Sequence, residues 1–169
     1  RFDPDKTKWF NQQYLRSTSN EDLAKLVAEQ IDGEFSIEYL AAVCELMKER
    51  ATFVSDIISD GDYFFGDITT YDEKTVKKKW KDDTPQIMEE LLAELTSISE
   101  WNTATIETVF SEKKKKNEYG FGKVGPGFRL LVTGKGMGPS MFDICATLGK
   151  EKVLNRMKEG LEKVSALKA

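Results

Sequence analysis

Ser36-Ile37-Glu38-Tyr39-Leu40-Ala41-Ala42-Val43-Cys44-Glu45-Leu46-Met47 decides the fold class. Ile37, Leu40, Ala41, Cys44 and Met47 recur three or four positions apart, the spacing of one face of an α-helix, and Ser36 ahead of them can cap the first turn with its hydroxyl. The same grammar repeats outward in both directions. Upstream, Ser19 precedes Asn20-Glu21-Asp22, whose acidic residues suit the positive end of a helix dipole, and Leu23, Leu26, Val27 and Ile31 form the stripe. Asp3-Pro4 predicts a cap followed by proline at the first helical position, with Trp9, Phe10, Tyr14 and Leu15 near helical spacing. Downstream, Phe53, Val54, Ile57 and Ile58 continue the apolar pattern, Asp72 predicts a helix through Trp80, and Thr84-Pro85 opens one with Ile87, Leu91, Leu92 and Leu95 on one face. Asn102 or Thr103 starts a shorter helix expected to end near Phe110. Ser140 to Leu148 and a stripe of Val153, Leu154, Met157, Leu161 and Val164 predict the last two. No run alternates with period two. The expectation is an all-α chain in two helical subdomains, residues 1–71 and 72–169.

Two stretches interrupt this pattern. Asp60-Gly61-Asp62-Tyr63-Phe64-Phe65-Gly66-Asp67 is a turn-flanked loop with three consecutive aromatics, which would be an interaction patch if exposed; the expectation is that they fold back to plug the seam between two helical units. From Lys113 to Gly138, glycines at 120, 122, 125, 127, 134, 136 and 138, with Pro126, predict that no helix persists and that Phe128 to Val132 forms at most one turn.

Composition excludes several classes. With 169 residues, 40% of them apolar, and ten Phe, five Tyr and three Trp, the chain can bury a core, and no apolar run approaches the roughly 18 residues of a membrane span. Histidine is absent, which removes the commonest general base and metal ligand. Gly134-Lys135 is followed by Gly136 and preceded at the required distance by Arg129, so the phosphate-loop pattern fails, and Asp60, Asp62 and Asp67 lack a calcium loop's spacing. No catalytic, cofactor or metal residue is expected in the segment. Cys44 and Cys145 stand among apolar residues and read as buried thiols of a reducing compartment, hence a cytoplasmic address. The chain opens at Arg1 with neither methionine nor leader, which predicts a piece of a longer protein.

Charge is segregated. Between 113 and 139, Lys113, Lys114, Lys115, Lys116, Lys123, Arg129 and Lys135 stand against Glu118 alone, although the whole chain carries a net charge of −4. A basic stretch in an acidic protein suits a polyanion-binding surface, and equally a solvated lysine loop. Lys77-Lys78-Lys79 reads as the exposed side of a helix whose buried side is Val76 and Trp80.

Four stretches, in order, carry a family resemblance: Phe2-Asp3-Pro4-Asp5-Lys6-Thr7-Lys8-Trp9-Phe10-Asn11-Gln12-Gln13-Tyr14-Leu15-Arg16; Leu46 to Phe53; Tyr63-Phe64-Phe65; and Arg129 to Gly134 running on to Gly138-Pro139-Ser140-Met141-Phe142-Asp143 and Leu148 to Glu151. They resemble the C-terminal anticodon-binding half of bacterial glutamyl-tRNA synthetases, class I aminoacyl-tRNA synthetases. The resemblance implies an all-helical anticodon-binding cage, with glutamate tRNA as partner, no DNA and no membrane, acting as a monomer. ATP and magnesium belong to the parent enzyme's catalytic domain, whose His-Ile-Gly-His and Lys-Met-Ser-Lys-Ser type motifs are missing here, so the segment alone should be inactive.

Residue by residue, Arg50 matches the arginine that reads the third anticodon base in discriminating members, while relaxed members often carry glutamine there. From its own sequence context, Arg50 could instead pair with Glu45 or Glu49. Arg129, Gly138, Pro139 and Met141 match the elements that hold the first anticodon base, with Met141 as an apolar wall. Gly138 stands where some relatives have threonine, which leaves main-chain contact only. Lys113 to Lys116, Lys123 and Lys135 are then expected to meet backbone phosphates, with Lys115, Lys116, Lys123 and Lys135 as the site's set. Residues 120–127 depart from the family pattern in their glycine content. The competing reading is a helical protein-interaction scaffold that docks a partner through the aromatic loop.

Overall fold

The structure, a computed structural model, describes residues 4–168. Its helices start where short polar side chains can satisfy the first amides. The Ser19 and Ser36 hydroxyls accept from the amides of Asp22 and Tyr39 (both 3.1 Å), the Asp72 carboxylate from Thr75 (3.1 Å), and the Asn102 carbonyl from Thr105 (2.9 Å). The cap assigned to Asp3 lies outside the described residues. Among those residues there is no strand, and ten α-helices follow one another: α1 (Pro4–Ser17), α2 (Asn20–Gln30), α3 (Ile37–Met47), α4 (Val54–Asp60), α5 (Glu73–Lys79), α6 (Thr84–Thr96), α7 (Thr103–Lys116), α8 (Phe121–Thr133), α9 (Met141–Leu148) and α10 (Lys150–Lys168). Short 3-10 turns cover Lys48–Arg50 and Asp62–Phe64.

By packing, the chain divides into two compact units, Arg1–Asp67 and Ile68–Ala169. In the first, α2 lies against α3 and α4 around Leu23, Val27, Leu40, Val43, Cys44, Met47 and Ile57. Tyr63 and Phe64 are buried in the same core, where the Tyr39 hydroxyl donates to the Phe64 carbonyl at 2.5 Å and Phe35 meets Phe65 edge to face at 5.7 Å. The aromatic loop therefore folds back into the first unit rather than presenting a docking patch. Phe53 corrects the sequence reading in the other direction. It precedes α4 instead of joining its stripe, and it is 55% exposed.

The second unit overturns the expectation that residues 113–138 break every helix. α7 runs through the lysines to Lys116, and α8 occupies thirteen residues despite Gly122, Gly125, Pro126 and Gly127. Burial outweighs propensity here. α8 packs on α5, α6 and α10, and sinks Val124, Phe128, Leu130, Leu131 and Val132 beside Trp80, Met88 and Met157. At Gly127 the missing side chain admits a close approach, since a Cβ there would stand 3.0 Å from Thr84 Cγ2 and 3.7 Å from Trp80 Cζ3. Gly134 ends α8 in the left-handed region (φ 77°), and its carbonyl accepts from the Asp72 amide at 2.9 Å.

Candidate functional site

In the first unit the chain leaves α3 through the turn Lys48–Arg50 and is pinned immediately afterwards. The Asp56 carboxylate accepts from the amides of Thr52 and Phe53 (3.0 Å each), Gln12 donates to the Thr52 hydroxyl at 3.4 Å, and Ala51 is buried. Arg50 is exposed at the end of this turn. Both carboxylates that could have claimed it are taken. Glu49 pairs with Arg16 (3.2 Å), which also donates to the Glu49 carbonyl (3.2 Å), and Glu45 receives the Asn20 amide and the Lys48 ammonium. Among the described residues the Arg50 side chain has no hydrogen bond or ion pair. Its five donors are thus presented to solvent on pinned backbone, three residues before the exposed Phe53.

The second unit builds its site on the C-terminal end of α8. Arg129 is half-buried there, and its Nη1 donates to the Pro139 carbonyl at 2.8 Å, so two of the sequence-predicted residues are joined directly. The Thr133 hydroxyl donates to the Arg129 carbonyl (2.8 Å) and accepts from the Lys135 amide (3.0 Å). The buried Arg156 guanidinium holds the Val132 carbonyl at 2.8 Å. Residues 134–139 therefore form a turn held at both ends, with Gly138 in extended backbone (φ 158°) between Met137 and Pro139. Pro139 is buried, and Met141 opens α9 with its side chain 2% exposed in the core of this unit. Met141 thus backs the turn from within. The apolar side chain on the solvent side is Met137, 81% exposed. Sequence reading missed Met137 because it sits outside any helical stripe, where an apolar residue carries no periodic signal, and misassigned Phe53 because its spacing from Val54 and Ile57 imitates a stripe, although α4 begins only after it.

The lysines separate into groups. Lys115 and Lys116 are exposed on the last turn of α7. Lys113 is 4% exposed, between Glu90 (2.6 Å) and Glu94 (3.2 Å). Burial works against its charged form, but the hydrogen bonds to the two glutamates prevail and raise the ammonium above its ordinary range. It is a structural cation, removed from the expected phosphate contacts. Lys123 is bonded to Asp83 at 2.5 Å and lies 5.6 Å from the Tyr119 ring centre. That bond raises the lysine and holds the Asp83 carboxylate below the usual range. Lys135 is half-buried in the turn. The cysteines are unpaired and buried. Desolvation lifts the Cys44 thiol to about 11 and raises Cys145 as well, so neither offers a thiolate.

A guanidinium on a pinned, exposed turn, a glycine-proline turn held by a second guanidinium, and two exposed lysines at a helix end suit unpaired bases and their phosphates. Across residues 21–161 the sequence matches the family described as the anticodon binding domain. The chain belongs to this family.

This anticodon-binding chain is similar to the glutamate–tRNA ligase of Flavobacterium psychrophilum, with 40% identity over 164 residues that cover 95% of this chain and 32% of that one. The Flavobacterium johnsoniae enzyme is 41% identical over the same coverage. The solved structure of a glutamate tRNA ligase from Elizabethkingia meningosepticum, in complex with its amino acid, matches with a TM-score of 0.89 and 36% identity, covering 97% of this chain and 33% of that one. The chain thus spans about a third of the length of these relatives. No helix among the described residues is long and apolar enough to cross a membrane.

Proposed function

We propose that this anticodon-binding chain reads the anticodon of glutamate tRNA as part of a glutamate–tRNA ligase, one copy per tRNA, in a cytoplasmic, reducing setting. The observation that carries the proposal furthest is Arg50: an exposed, unengaged donor fork on pinned backbone, with Glu45 and Glu49 both committed elsewhere. A fork of donors with no acceptor favours the acceptor edge of cytosine over guanine at the third anticodon position, although guanine also offers acceptors on its other edge. In the second unit, Arg129 orders the Gly138-Pro139 turn for main-chain contact with the first base, and Met141 supports that turn from behind. Lys115 and Lys116 neutralise backbone phosphates, with Lys135 beside the turn and Lys123 joining by exchanging Asp83 for phosphate.

In this reading the first subdomain reads the third base and the second subdomain the first base. Amino-acid activation with ATP and magnesium belongs to the remaining two thirds of a ligase of the relatives' length, and this chain alone performs no aminoacylation. A scaffold that docks proteins through the aromatic loop is disfavoured, because Tyr63 and Phe64 are buried. The test is a titration of the chain with glutamate tRNA and with an anticodon-swapped version at two salt concentrations. Tighter binding of the cognate anticodon at both salts supports the reading, and indifference to the anticodon removes its main content.

A further inference from the structure

α5 carries a second basic surface that no part of the proposed base-reading site uses. Lys74, Lys77 and Lys78 stand at i, i+3 and i+4, so they share one face, while Val76 and Trp80 are buried on the other side. All three lysines are exposed, and among the described residues none has a carboxylate within ion-pair distance. Of the two neighbouring carboxylates, Asp72 is committed to the amide (3.1 Å) and hydroxyl (2.5 Å) of Thr75, and Glu73, one turn before Lys77, forms no ion pair with it. Like charges at this spacing oppose one another, and Lys74 stands in the first turn, where the helix dipole disfavours a cation. The dipole favours Lys77 and Lys78 in the last turn, but the three ammoniums still crowd one face with no ion pair to offset their mutual repulsion.

Its position gives that face a use. α5 begins on the Gly134 to Pro139 turn: the Asp72 amide donates to the Gly134 carbonyl at 2.9 Å, and Thr75 packs so tightly on Gly136 that a Cβ there would lie 2.2 Å from its hydroxyl. A seven-residue helix is about 10 Å long, so every lysine on it lies close to the turn. Lys168 adds a fourth ammonium, donating to the Lys77 carbonyl at 3.0 Å.

We propose that the Lys74, Lys77 and Lys78 face of α5 binds the RNA backbone leaving the base held at the turn, as a ridge of phosphate contacts. This rests on the tRNA-reading function proposed above and extends it to a surface that sequence reading had assigned to solvent. The experiment measures binding of the whole chain to glutamate tRNA from 50 to 200 mM salt, for the native sequence, for Lys74→Gln/Lys77→Gln/Lys78→Gln, and for the matching triple arginine variant. Circular dichroism checks the fold of each. Three lost single-strand contacts should make the slope of log K against log salt shallower by about 2, with the cognate-to-swapped affinity ratio unchanged and the arginine variant native-like. An unchanged slope in the glutamine variant, while the native chain still prefers the cognate anticodon, overturns the ridge and leaves base reading intact. If the native chain shows no anticodon preference, both proposals fall.

Discussion

Arg129 donates from Nη1 to the carbonyl of Pro139 at 2.8 Å, which ties α8 to the turn ten residues later. A charged donor on a half-buried main-chain carbonyl is worth more than a neutral hydrogen bond, and it fixes the backbone that the proposed function offers to a base. Arg129→Gln should destabilise the second unit by about 1.5 to 3 kcal/mol, read from urea unfolding, and should weaken tRNA binding. Arg129→Lys should preserve the salt slope without restoring stability, because an ammonium lacks the planar fork.

Gly134 is the hinge of the same turn. Its φ of 77° and the 2.6 Å that would separate a Cβ from the Thr70 carbonyl oxygen leave no room for a side chain. Gly134→Ala should cost about 1 to 3 kcal/mol and lower the melting temperature, whereas Gly122→Ala, where a Cβ would meet nothing within 4 Å, should be neutral or stabilising.

Asp72 links acidity to this region. The Thr75 hydroxyl, and then its amide, hold the Asp72 carboxylate below the usual range. A depressed carboxylate contributes stability that is present above the ordinary aspartate pKa of about 3.9 and is lost as pH falls through the lower folded value. Unfolding measured between pH 6 and pH 2 should therefore show an acid loss that is smaller in Asp72→Asn. Asp72→Ala should cost about 1 kcal/mol at neutral pH through the missing cap.

Lys115 and Lys116 are exposed and should act on affinity without touching identity. Replacing both with glutamine should weaken every tRNA alike and make the salt slope shallower by about 1.4. Lys113→Gln differs in kind, since it strands Glu90 and Glu94 and should lower stability instead.

These contrasts mark what could be read from the residues alone. Ser19, Ser36, Asp72 and Asn102 announce their helices because a capping side chain acts within three residues of itself. Arg129 and Pro139 were legible as a pair through the family pattern, and their bond joins them in the structure. α8 was not legible, because Gly127 serves the approach of Thr84, more than forty positions away in sequence, and local propensity cannot register a distant neighbour. Lys113 was misread for the same reason, as its partners sit on α6. The exposure of Phe53 and Met137 follows from where helices begin and end, which composition does not encode.

The most direct measurement of the central claim is a binding cycle on Arg50. The native chain and Arg50→Gln are each titrated with glutamate tRNA and with a version carrying guanine for cytosine at the third anticodon position. The native preference for cytosine should narrow by about 1 to 3 kcal/mol in the variant, with unfolding changed by no more than about 0.5 kcal/mol. Equal weakening toward both tRNAs, or an unaltered preference, contradicts the claim.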